Sequence, residues 1–308
     1  MHSVGVVLHP QRDSADAVQA ILAWAGRNGA DVYGAENEIE RLNCAAKPLS
    51  AAELGRRSDL LVSIGGDGTM LRAMRLADGQ RAPVLGVNLG KLGFLAEVDV
   101  PELPQALSAI DAHQFTTEPR LAVDCYVGDE DGRPDGASGI RATAFNDIAV
   151  VRVPGDNLAA VAVHAGGQPF VSYVADAVIV ATPTGSTAYS FSAGGPIVSP
   201  GVEALLVTPA SPHSAYNRGV VLSLADPVSI ELLPGSGRLA IEVDGRVAGY
   251  AEPGDFLDIT PRPAAARVVR LGRTTFYQRA RRKLGITDSV SISRTVSAPS
   301  LKKILPDV

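Results

Sequence analysis

The chain is poor in the residues that staple a fold or chelate a metal. Only Cys44 and Cys125 stand among its 308 residues. Two cysteines make neither a disulfide framework nor a metal cage. The five histidines, His2, His9, His113, His164 and His213, share no metal-ligand spacing, so no protein-held metal is expected. Basic charge is not in excess: the net charge is −5, and nothing global favours nucleic acid. No apolar run approaches the roughly 18–20 residues of a membrane span. The start, Met1-His2-Ser3-Val4-Gly5, lacks the basic region of a signal peptide. Three familiar motifs are also missing. No G-x-G-x-x-G follows the first apolar run, which leads instead into His9-Pro10-Gln11-Arg12; this argues against a dehydrogenase. No G-x-x-x-x-G-K-[ST] loop and no G-x-S-x-G elbow occur. What remains is ordinary for a globular chain: 46% hydrophobic and 20% charged, with 31 Gly and 21 Pro promising many turns. A cytoplasmic protein of two domains is expected.

The first third alternates strand and helix. Val4 to Leu8 reads as a buried strand. Val18, Ile21, Leu22 and Ala25 share one helical face behind a cap at Asp13 or Ser14, and Gly29 suits the C-cap. Strands are expected near residues 31–33, 60–64 and 84–87, and helices over 50–57, 70–77 and 101–112. This rhythm predicts a Rossmann-like, doubly wound α/β domain over residues 1–118. From Leu121 the apolar period becomes two. Short strands are expected at 121–127, 143–153, 159–164, 169–174, 177–181, 220–224, 228–232, 239–243, 256–260 and 267–271. Asp244-Gly245 between alternating runs is a strong hairpin signal. The pattern predicts an antiparallel β-sandwich over residues 119–272. A helix over 273–288 is expected to pack back on the first domain. Residues 289–308 are Ser-rich and aperiodic and read as a mobile tail. The basic residues Arg279, Arg281, Arg282 and Lys283 read as the solvated face of that last helix.

Four segments carry candidate chemistry. Gly65-Gly66-Asp67-Gly68-Thr69 lies between a strand and a helix, where free N–H groups attract phosphate. Asp67 is electrostatically odd there. It repels phosphate unless it takes up a proton during reaction or meets the phosphate through a cation. That suggests the general base of a kinase, set against a plain Asp-Gly turn. Asn88-Leu89-Gly90 and Leu92-Gly93-Phe94-Leu95 follow a strand and line a ligand or merely link elements. Asn146-Asp147 sits in an otherwise apolar stretch. Such a pair needs partners; the hydroxyls of a ribose suit it, and so does a local bulge. Thr182-Pro183-Thr184-Gly185-Ser186-Thr187-Ala188-Tyr189 concentrates hydroxyls after a strand, for a polar ligand or for caps.

Taken in order with Ala193-Gly194-Gly195-Pro196, with Pro212-His213-Ser214 plus Arg218, and with Asp244-Gly245, these segments resemble the NAD kinase family. The resemblance runs from about Val4 to Leu284. It implies phosphoryl transfer from ATP or polyphosphate, with Mg²⁺, to the 2′-hydroxyl of the adenosine ribose of NAD. It implies Asp67 as catalytic base and Gly65, Gly66, Gly68 and Thr69 as the phosphate loop. It implies NAD contacts by Asn146, Asp147, Asp176, Thr184, Thr187, Ala188, Tyr189, Ser192 and Asp244, with Asp176 reaching NAD bound mainly by a neighbouring subunit. A homo-oligomer, dimer or tetramer, is implied as well. This chain departs in having Asp147 where the family most often has Glu, Ala177 where it has Gly, and Gly219 where it has Pro. None of these removes a group that the chemistry needs. A related lipid or sugar kinase with the same glycine loop should lack the Thr182–Tyr189 segment. A non-catalytic NAD sensor is the rival of a different class.

Overall fold

A computed structural model describes residues 1–90, 93–128 and 139–287. The expected tail, 289–308, lies outside them, as do Lys91 and Leu92. The N-terminal half runs β1 (Ser3–Leu8), α1 (Ala15–Asn28), β2 (Asp31–Ala35), α2 (Glu36–Leu42), β3 (Lys47–Leu49), α3 (Ala51–Arg57), β4 (Leu60–Gly65), α4 (Asp67–Ala77), β5 (Val84–Asn88), β6 (Val98–Asp99) and α5 (Leu103–Asp111). The C-terminal half begins with β7 (Thr116–Gly128), β8 (Arg141–Ala144), β9 (Asp147–Arg152), β10 (Ala159–Ala165), β11 (Gln168–Ala175) and β12 (Ala177–Ala181). It continues with α6 (Tyr189–Ser192), β13 (Ala204–Ala210), β14 (Val220–Ser223), β15 (Val228–Leu232), β16 (Leu239–Val243), β17 (Arg246–Ala251), β18 (Phe256–Arg270) and α7 (Phe276–Leu284). Among the described residues no helix is long and apolar enough to cross a membrane.

The apolar run of β1 sits at the centre of a parallel sheet ordered β5-β4-β1-β2-β3. Strands buried on both faces need no alternation, and every residue of β4 is buried. Helix α1 lays Val18, Ile21, Trp24 and Ala25 on that sheet and ends at Gly29 in the left-handed conformation (φ 64°), as a C-cap glycine does. Ser14 stands at the N-cap without a side-chain bond to the helix. Ser50 caps α3, accepting from the Glu53 amide.

In the second half two sheets face each other. One is ordered β14-β13-β12-β9-β16-β17. Facing it are β7, β8, β10, β11, β15 and β18, and the inward residues of both sheets form one core around Tyr173, Val178, Ile230 and Leu257. The two expected strands at 256–260 and 267–271 are one bent strand, β18. Its register against β7 shifts between Arg262 and Ala266, with Ala264 at φ 53°, which is how a bulge bends a strand without ending it. Because β18 pairs with β15, β7 and β5, the sheets of the two halves are continuous. The boundary expected at 118/119 therefore falls inside β7.

Candidate functional site

The strand expected over 143–153 is broken. β8 ends at Ala144 in one sheet and β9 starts at Asp147 in the other. Phe145 and Asn146 are the crossing point, so their backbone groups lack a ladder. Two neighbours supply partners. Thr182 donates from its amide to the Asn146 carbonyl (2.8 Å) and from its hydroxyl to the Phe145 carbonyl (2.6 Å). Asp244 accepts from the amides of Phe145 (3.2 Å), Asn146 (2.7 Å) and Asp147 (3.2 Å).

Asp244 and Gly245 both have positive φ (46° and 74°), the conformation a two-residue hairpin turn demands. The turn joins β16 to β17, with Val243 opposite Arg246. The Asp244 side chain is fully buried, and Arg75 of α4 is ion-paired to it. Its carboxylate is thus committed to the chain itself, although the resemblance implied an NAD contact. It ties α4, whose first residue is Asp67, to the Phe145-Asn146 crossing. Gly185 completes this knot: a Cβ there would lie 2.1 Å from the Asn146 carbonyl oxygen.

Asp67 opens α4 with Gly66 at the N-cap. Its carboxylate turns toward the loop after β5. Oδ2 accepts from the Phe94 amide and Oδ1 from the Leu95 amide, both at 3.1 Å. Lys283 of α7 donates to Oδ2 at 3.0 Å. A Cβ on Gly93 would come within 2.2 Å of Oδ1, which gives the second glycine loop a physical reason.

The loop glycines divide by what their missing side chains would meet. A Cβ on Gly65 would strike the Thr69 hydroxyl at 2.3 Å, whereas Gly66 and Gly68 face open space. The fold itself does not require glycine at either. Both line a cleft of about 250 Å³ together with Thr69, His9, Arg12, Arg72 and Arg246. Arg72 donates to the Leu8 carbonyl and pairs with Glu38 (2.6 Å). Burial, followed by the charges of Arg12, Arg41 and Arg72, holds the His9 imidazole below its ordinary pKa. These basic residues are missing from the candidates named by sequence. Arg12 follows the end of β1 and Arg246 follows Asp244-Gly245, so their closeness to strand ends and to a motif was the available signal.

Asp147 is buried, with 4% of its surface exposed. Burial first, then the charges of Asp244 and Glu242, push its carboxyl up to about 7, against a hydrogen bond from the Tyr189 amide. In the Thr182–Tyr189 segment, Thr182 accepts from the Gly185 amide (3.2 Å). Ser186 donates to Pro183 O (2.7 Å) and accepts from the Val198 amide (3.0 Å). Those two hydroxyls shape the loop, and Thr187 also donates to the Thr184 carbonyl (3.4 Å); Thr184, Thr187 and, just past the segment, Ser192 are the candidate ligand contacts. Tyr189 packs with Ala193 and Val198 on Ala149, Ala177, Ile179 and Ala181. Burial and the charges of Glu242, Asp176 and Asp147 raise its phenol. Asp176 and Thr182 flank β12 at opposite ends, about 20 Å apart at ~3.4 Å per residue, and Asp176 pairs with Arg152 at 2.5 Å.

Among the described residues no group of three His, Cys, Asp or Glu side chains could hold a metal. The arrangement is therefore a basic, glycine-floored cleft beside a carboxylate, coupled through Asp244 to a second polar site.

Two family models match this chain: the ATP-NAD kinase N-terminal domain over residues 4–115 and the ATP-NAD kinase C-terminal domain over residues 145–271. NAD kinase 1 of Streptomyces avermitilis is 37% identical over 320 residues, covering 93% of this chain and 88% of that one. The NAD kinase of Desulforamulus reducens is 35% identical, covering 92% and 97%. Yeast NADH kinase complexed with NADH superposes with a TM-score of 0.80 at 26% identity, covering 98% and 90%. An Archaeoglobus fulgidus NAD kinase in complex with ATP gives 0.68 at 24% identity, covering 92% and 97%, a likeness of fold. With both domain models matched in order and relatives aligned over nearly its whole length, this chain belongs to the NAD kinase family.

Proposed function

We propose that this chain transfers the terminal phosphoryl group of ATP to the 2′-hydroxyl of the adenosine ribose of NAD, giving NADP and ADP. The observation that carries this reading is the cleft floored by Gly66 and Gly68 and walled by Arg12, Arg72 and Arg246, opening at the helix that begins with Asp67. Phosphoryl transfer is mostly positioning and electrostatics. The loop amides and guanidinium groups take up phosphate charge. The 2′-oxygen forms its bond to the terminal phosphorus while the bridging bond to ADP breaks, and ADP leaves with that electron pair. The hydroxyl proton goes to Asp67. Mg²⁺ would be carried in on the nucleotide's phosphates, as such ions commonly are, since no group of three His, Cys, Asp or Glu among the described residues could hold it; it would supply further charge neutralisation. Incubating the protein with NAD and Mg·ATP, then assaying NADP with an NADP-specific dehydrogenase, tests the reading. The same assay with polyphosphate tests that donor. No NADP from either donor contradicts the assignment.

Asn146, Asp147, Thr184, Thr187, Ala188, Tyr189 and Ser192 are proposed to hold NAD. Asp244 is proposed to act indirectly, by fixing the crossing. Asp176 is proposed to serve the NAD of a neighbouring subunit in a cytoplasmic homo-oligomer.

Two outcomes follow. Gly68→Ala should fold as well as the parent, since Ala favours a helix over Gly by about 1 kcal/mol, yet weaken ATP binding at least about tenfold by intruding on the phosphates. Paired melting and nucleotide titrations check both parts. Second, Asp147 accepts from ribose hydroxyls through both oxygens only when ionised, since protonation turns one of them into a donor. With its carboxyl near 7, KM for NAD should be about tenfold higher at pH 6 than at pH 8, and Asp147→Asn should flatten that profile. The same group makes stability fall as pH rises from about 4 to about 7, because the folded chain keeps a proton there that the unfolded chain has lost.

A further inference from the structure

An anion at a helix start is favoured, but a carboxylate and a polyphosphate cannot share that place without countercharge. The three cleft arginines line the glycine side of the loop, whereas the Asp67 carboxylate turns the other way, onto the amides of Phe94 and Leu95. The cation that meets it there is Lys283, with Nζ 3.0 Å from Oδ2 and 4.5 Å above the Phe94 ring.

This contact is built by α7. A capping box of Thr275 and Gln278 starts the helix, and Gly285 in the left-handed conformation ends it. Arg279, only 3% exposed, anchors it by pairing with Glu97 (3.0 Å) and donating to the Ala96 carbonyl (3.3 Å). Lys283 is four residues on, one turn later on the same face. Buried Arg279 therefore aims Lys283 at Asp67. In the basic run expected to be a solvated face, Arg279 is the exception and is buried, whereas Lys283 stays exposed and sets its ammonium on Asp67.

We propose that Lys283 is the resident counter-cation of Asp67, a positioning residue that lets an anionic base stand inside a polyphosphate site. This deepens the kinase reading and rests on it: the loop takes the phosphates, Asp67 takes the proton, and Lys283 stays an ammonium throughout. With Lys283 in place the pair is neutral. Without it the site carries one uncancelled negative charge, and without Asp67 one uncancelled positive charge.

The test is the affinity of a non-hydrolysable ATP analogue with Mg²⁺, measured by calorimetry at fixed free Mg²⁺ on the full chain. Lys283→Met keeps bulk over the Phe94 ring and removes the charge; it should weaken binding about tenfold. Asp67→Asn should bind more tightly than the parent. The double variant should return to within about twofold of the parent, because its local charge is again zero. Lys283→Arg should stay near the parent. A merely structural lysine gives no such compensation. Lys283→Met binding like the parent overturns the proposal, and so does a double variant as weak as Lys283→Met. Should Lys283→Met fail to fold, Lys283→Gln removes the same charge and is read the same way. A parent chain that does not bind the analogue at all overturns the kinase reading as well, whereas a parent that binds with Lys283→Met unchanged overturns this proposal alone.

Discussion

Asp67→Asn is expected to lower kcat for NADP formation by about 10²–10⁴, the usual worth of a general base, while NAD and nucleotide still bind. Asn is close in shape but takes no proton. The rival role for Asp67, a turn former, makes Asn nearly silent. The structure sharpens the comparison, because the carboxylate accepts from Phe94 N, Leu95 N and Lys283. An amide there turns its NH₂ toward one of those donors, so some loosening of the 93–95 loop accompanies the substitution. The two effects separate cleanly. Loosening moves the melting temperature and the affinities, whereas loss of the base moves kcat at saturating substrate. A folded Asp67→Asn protein with near-normal NADP formation contradicts the catalytic role.

Asp244→Ala is expected to cost about 3–5 kcal/mol of stability, the range for removing one partner of a buried ion pair. Three backbone amides and the Arg75 guanidinium converge on this side chain, which has no solvent exposure. Alanine leaves all four without their acceptor. The denaturant midpoint should fall with little change in slope. KM for NAD should rise as well, because the same amides belong to the segment that carries Asn146 and Asp147. Asp244→Asn, which keeps an acceptor oxygen, should fall between the two. A loss below about 1 kcal/mol, the worth of an exposed pair, contradicts the clamp described here.

Much of this was legible in the sequence because it is local. A glycine-rich turn after a buried strand, a hairpin at Asp244-Gly245 and a left-handed cap at Gly29 depend on a few adjacent residues, and the chain adopts all three. What was not legible depends on distant partners. No strand is expected at 204–210, where Pro209 argues against one. In the fold β14 pairs only with Ala204 to Val207, so Pro209 lies past the end of that ladder and costs no hydrogen bond to it. Asn146-Asp147 read as strand because its flanks are apolar; the break appears only once Ala144 and Asp147 join different sheets. Arg279 reads as solvated because its acidic partner, Glu97, lies 182 residues away, and the partner of exposed Lys283, Asp67, lies 216 residues away. The Asp244 turn was visible, but not the direction of its carboxylate.

The central claim is that the chain phosphorylates one particular hydroxyl. Its most direct test is the product itself: NAD and Mg·ATP are incubated with the purified protein, and the phosphorylated dinucleotide is examined by phosphorus and proton NMR. The account predicts one new phosphomonoester, on the 2′-oxygen of the adenosine ribose, formed in step with ADP. A phosphate on any other hydroxyl, or ADP released with no phosphorylated dinucleotide, would contradict it.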